Sequence, residues 1–67
     1  MRRPPNHYAE GQTWRAPSGA SRTILALYPE TVLADASVRF RDENGNERTV
    51  GFATLKTWVS VTRAVVT

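Results

Sequence analysis

The chain has no cysteine and one histidine, His7, among its 67 residues. Without thiols there is no disulfide staple and no thiolate metal site, and a single imidazole cannot build a structural zinc site. The same shortage thins the catalytic inventory. Ser–His and Cys–His pairs need an imidazole on a rigid element, and His7 stands in a proline-bearing leader. Asp42, Glu43 and Glu47 cluster at a loop tip, where carboxylates are solvated and keep ordinary acidity. No glycine-rich phosphate cradle appears. These absences predict a protein that is not an enzyme and that has no cofactor, metal or catalytic residue.

Long apolar runs are also missing. No stretch approaches the roughly 20 residues of a membrane span, and Met1-Arg2-Arg3-Pro4-Pro5 leads into polar residues, not into the apolar region of a signal peptide. The expectation is a cytoplasmic chain with no membrane partner. A single domain of this size buries about 60% of its unfolded surface and draws roughly 3–5 kcal/mol of stability from its core. That core must suffice alone, or be completed by self-association or a partner.

Eight arginines and one lysine stand against six acids, for a formal charge of +3. This permits a polyanionic partner without demanding one. The best-determined local structure is Ser37 to Phe52. Ala36, Val38 and Phe40 alternate with Ser37, Arg39 and Arg41, and Val50 and Phe52 alternate with Thr49 and Gly51, which predicts a β-hairpin. A two-residue turn on Asn44-Gly45 would set Arg41 against Arg48 and Val38 against Gly51. A three-residue loop with Gly45 left-handed sets Arg41 against Glu47, Val38 against Val50 and Ala36 against Phe52, and this register is predicted. Arg48 then falls opposite Phe40, its stem along the ring and its head in water.

Residues 1–10 read as a flexible basic arm, with two arginines and two prolines and no apolar period, and residues 11–67 as the folded domain. Gln12-Thr13-Trp14-Arg15 is a short strand, and Ala16-Pro17-Ser18-Gly19 the loop that ends it. Thr23 to Tyr28 is an apolar run of strand length, predicted to be buried on both sides as a bent strand serving two sheets. Val32 and Leu33 are predicted to tuck under the domain. Ala53 to Trp58 reads as a 3₁₀ turn, and Val59 to Thr67, rich in β-branched residues, as the closing strand. The predicted core is Trp14, Ile24, Val38, Phe40, Val50, Phe52, Leu55 and Val61.

This order of strands, with Gly11-Gln12-Thr13-Trp14, Val38-Arg39-Phe40 and Phe52-Ala53-Thr54-Leu55, resembles SH3-like small β-barrel proteins encoded by bacteriophages and mobile elements. The resemblance implies an all-β fold, a five-stranded antiparallel barrel with a 3₁₀ turn before the last strand. It also implies a small accessory protein that works by binding. Ala26-Leu27-Tyr28 falls in the second strand, away from the place of an SH3 ligand box, so polyproline binding is not carried over.

The candidate binding residues follow from the strand pattern. Arg39 and Arg41 project from one face about 7 Å apart, near the phosphate spacing of a single nucleic-acid strand. Arg15 and Lys56 extend the patch, and Tyr28, Tyr8 or Trp58 would supply base stacking. The plainer reading pairs Arg41 with Glu47 and leaves Arg39 a solvated strand residue. The expected partner is nucleic acid or a nucleic-acid-processing complex. The alternatives are a host protein on which the chain docks as an accessory or inhibitor, and a second copy paired through the C-terminal strand.

Overall fold

A computed structural model describes residues 8–66. Five strands, β1 (Thr13–Arg15), β2 (Ser21–Tyr28), β3 (Ser37–Asp42), β4 (Glu47–Gly51) and β5 (Val65–Val66), form one antiparallel sheet in the order β4-β3-β2-β1-β5. One helix, α1 (Phe52–Thr62), joins β4 at one edge to β5 at the other. The first seven residues of the predicted arm lie outside the described residues. No described helix is long and apolar enough to cross a membrane.

The sheet is open, and the predicted barrel is corrected on this point. Closure would need a long last strand, but α1 takes Val59 to Thr62 and leaves β5 two residues, so β4 and β5 stay unpaired at the edges. The predicted 3₁₀ turn is instead the start of this eleven-residue helix. Local propensity was misleading here. Thr54, Thr57, Val59, Val61 and Thr62 are β-branched and disfavour helix slightly, but Phe52, Leu55, Trp58 and Val59 recur at helical spacing and pack on the sheet. Tertiary burial of that stripe outweighs a few tenths of a kcal/mol per residue.

The helix ends are held by the chain around them. No side chain caps the first turn; the Phe52 N–H donates to the carbonyl of Ala36 at 2.9 Å, prolonging the β3–β4 ladder into the helix. At the other end Thr62 Oγ1 donates to the Trp58 carbonyl at 2.7 Å. Arg63, at φ 60° and ψ 36°, then turns the chain so that Ala64 is buried and β5 pairs with β1.

The hairpin has the predicted register. Arg41 stands opposite Glu47 and Val38 opposite Val50. The Asp42 N–H donates to the Asn46 carbonyl at 2.9 Å and the Gly45 N–H to the Asp42 carbonyl at 3.0 Å, with Gly45 at φ +86°. The β1–β2 connection repeats the device: Ala16 and Ala20 take the places of Asp42 and Asn46, and Gly19 at φ +102° takes that of Gly45. Both loops are three residues long with a glycine bulge, whose twist matches the strands it joins.

The core lies between the sheet and α1, where Trp14, Ala16, Ile24, Val38, Phe40, Leu55 and Ala64 are buried. Val50 and Phe52 are half-buried against it, as is Tyr8, whose ring lies 4.9 Å from Trp14 and 5.2 Å from Phe52 between centroids. Val61, predicted in the core, is 75% exposed because it lies on the outer flank of the helix. Val32 and Leu33 do not tuck under the sheet either. They are 100% and 92% exposed in the β2–β3 loop, where Thr31 Oγ1 accepts the N–H groups of Leu33 and Ala34 and fixes a turn that turns both side chains outward.

β2 serves one sheet, not two. A bulge between Ile24 and Ala26 makes Leu25 an extra residue, so Ile24 and Leu27 both face the core while Ala26 and Tyr28 share the other face with Arg39 and Ser37.

Candidate functional site

Residues directly opposite one another in adjacent strands share a face. The register therefore assigns the face that α1 leaves open: Val65, Arg15 and Ser21 in one row, Thr13, Thr23, Arg41 and Glu47 in the next, then Ala26, Arg39 and Thr49, and finally Tyr28 and Ser37. Among the described residues no element covers it. Arg15, Arg39, Arg41 and Tyr28, four of the six predicted binding residues, are thus brought to one surface.

The two central guanidinium groups are tied to one carboxylate. Arg39 Nη2 donates to Glu47 Oε1 at 2.8 Å and Arg41 Nη2 to Oε2 at 3.1 Å, with all three side chains partly in water. The hydrogen bonds from Arg39 and then Arg41 hold the Glu47 pKa below its ordinary value. The triad keeps one net positive charge. It also holds two flexible side chains side by side on the face. Arg15 lies two strands across and two residues along from Arg41, about 12 Å by strand spacing and rise. Thr13 and Thr23, whose hydroxyls hydrogen-bond at 2.9 Å, occupy the interval.

Lys56 and Trp58 are not part of this surface. Both lie on α1, on the covered side of the sheet, with Lys56 Nζ 5.7 Å from the Phe52 ring centroid. Trp58 has another partner: the guanidinium carbon of Arg22 is 4.4 Å from its ring centroid and 4.4 Å from that of Phe40. Arg48 stands opposite Phe40 as predicted, but the cation over the Phe40 ring is that of Arg22. Sequence reasoning missed Arg22. The available signal was its place two residues before Ile24, on the core side of β2, where an arginine must cover apolar rings with its stem and head.

No family model, curated protein or solved structure matches the chain.

Proposed function

We propose that the protein is a non-enzymatic binding module that takes a single nucleic-acid strand, or the nucleic-acid part of a processing complex, across the open face of its sheet. The observation that carries this reading is the convergence of Arg15, Arg39, Arg41 and Tyr28 on the face opposite α1, which no element among the described residues covers. Arg39 and Arg41 are spaced to follow a phosphate backbone, and Tyr28, 46% exposed and one row from Arg39, offers a ring for stacking. The hydroxyls of Thr13, Thr23, Ser21 and Thr49 are sequence-neutral neighbours, suited to a backbone and not to base edges.

The test is salt dependence. Each phosphate contact releases condensed counterions, so Arg39→Ala with Arg41→Ala should flatten the slope of log affinity against log salt by about 0.7 per lost contact on single-stranded DNA. Melting of the double variant should stay near the parent's, because exposed ion pairs are worth about 0–1 kcal/mol. Equal binding by parent and variant, or none by either at moderate salt, sinks the reading.

A second reading, docking on a protein, is favoured by one observation. Val32 and Leu33 stand almost wholly in solvent on a turn that Thr31 holds, the arrangement of a short apolar anchor. A salt-tolerant stoichiometric complex, lost on Leu33→Ser and kept in the double arginine variant, selects it.

A further inference from the structure

On the covered side of the sheet, at the end distant from the β2–β3 loop, Arg22 and Arg48 border a cleft of about 140 Å³ whose wall is formed by Phe40 and Trp58. Arg22 is fixed there by both rings, and Arg48 reaches it from the neighbouring side of β3. Among the described residues, neither arginine has an ion pair, in contrast to Arg39 and Arg41. Two carboxylates also line the cleft, and each is turned to the backbone through one oxygen: Asp42, opposite Arg22 in the ladder, accepts the N–H groups of Asn44 and Asn46 on Oδ1 at 2.9 Å, and Glu43 Oε1 accepts that of Ser21 at 3.1 Å. Burial, and then the nearby charge of Arg48, push the Arg22 pKa down, and the charges of Glu43 and Asp42 offset this only in part, so the two guanidinium groups stand close together without a carboxylate in direct contact.

We propose that this cleft is a phosphate site, in which Arg22 and Arg48 grip a tetrahedral oxyanion while Phe40 and Trp58 hold the Arg22 fork in plane. The guanidinium fork matches such an oxyanion with paired N–H donors, and pre-fixing it lowers the entropy lost on binding. The cleft has the room of a few waters at about 30 Å³ each, enough for a phosphate group. A larger groove of about 490 Å³ continues from Arg22 and Trp58 along Thr54, Thr57 and Val61. A phosphate monoester can therefore place its head between the arginines and its organic part against the helix. Inorganic phosphate shares the head chemistry. The site is on the other side of the sheet from Arg39 and Arg41 and stands or falls separately from strand binding.

Trp58 reports on the site directly, since an anion that engages Arg22 alters the cation against its ring. Tryptophan emission is followed as inorganic phosphate or ribose 5-phosphate replaces chloride at constant ionic strength, with Trp58→Phe to isolate the Trp58 signal. The expected result is a saturable change that is absent in Trp58→Phe. Its midpoint should move at least tenfold upward in Arg48→Ala, less in Arg48→Lys, and stay in place in Arg39→Ala with Arg41→Ala. A lower midpoint for ribose 5-phosphate supports the site and assigns the groove to the organic part; equal midpoints support it with the phosphate head alone recognised. No saturable change with either probe, or a change that Arg48→Ala leaves intact, overturns the proposal. Arg48 is exposed at an edge strand, so the decisive variant leaves the core in place.

Discussion

Arg39 and Glu47 are joined across the β3–β4 hairpin at 2.8 Å, and the other oxygen of the same carboxylate takes Arg41 at 3.1 Å. Because both hydrogen bonds favour the charged form, the folded pKa of Glu47 lies below its unfolded value. Such a group contributes stability above the unfolded value of about 4.3 and loses it as pH falls through the folded value. An NMR titration of the Glu47 carboxyl should therefore have its midpoint below that of a free glutamate. Glu47→Gln should lower stability slightly at neutral pH, leave it unchanged in acid, and by the same amount flatten its pH dependence below about pH 4.3. The same variant frees a positive charge on the open face, so single-stranded DNA should be retained to higher salt. A midpoint at the ordinary glutamate value would break the link between the geometry and the charge.

Gly51 is the N-cap of α1 at φ −63° and ψ 147°, a conformation open to any residue, and the first turn has neither a side-chain cap nor an acidic residue. A side chain there would meet only Thr54 Oγ1, at 3.9 Å. Gly51→Asp should stabilise by about 0.5–1 kcal/mol through a capping bond and a less flexible unfolded chain. In a domain of this size that raises the melting temperature by roughly 2–8 °C. An unchanged or lower value would mean that the carboxylate does not reach the first-turn N–H groups.

Gly45 at φ +86° has open space around its Cα, so substitution there isolates the backbone cost. Gly45→Ala should destabilise by about 1–2 kcal/mol, and Gly45→Asn by less, because asparagine tolerates the left-handed region. Urea midpoints measure both, and an alanine variant as stable as the parent would show that the loop can adopt another turn.

Phe40 is 1% exposed and carries Arg22 on its ring. Phe40→Ala should cost about 3–5 kcal/mol, which equals the whole stability expected of a core this small. Loss of a cooperative thermal transition is the expected readout; a sharp transition near the parent's would place most of the stability elsewhere.

Val32→Ser, Leu33→Ser and Val61→Ser should each change stability by no more than about 0.5 kcal/mol, since all three side chains lie in water. A loss above 1 kcal/mol, measured by urea unfolding at low protein concentration, would put that side chain in a packed environment.

The elements legible in the chain alone are those whose information is local. Asp42 to Asn46 specify a three-residue loop by turn chemistry, and the alternation of Val38, Phe40 and Val50 with Arg39, Arg41 and Thr49 admits one register in which opposite charges meet and the apolar faces agree. That register carried Arg39 and Arg41 to one face, and period two was enough to do so. The core positions Trp14, Ile24, Val38, Phe40 and Leu55 were legible for the same reason, as apolar residues at strand or helix spacing.

The course of the chain after Gly51 is set by packing. Ala53 to Thr67 is ambiguous locally, because its β-branched residues favour strand by a margin smaller than the burial of Phe52, Leu55, Trp58 and Val59 on the sheet. Once those residues form a helix, the closing strand shrinks to Val65–Val66, the sheet stays open, and one face remains free for Arg15 and Tyr28 to join the two arginines. The approach of Arg22 to Trp58 depends on the same choice, since it brings together residues 36 positions apart through helix packing that no local pattern encodes.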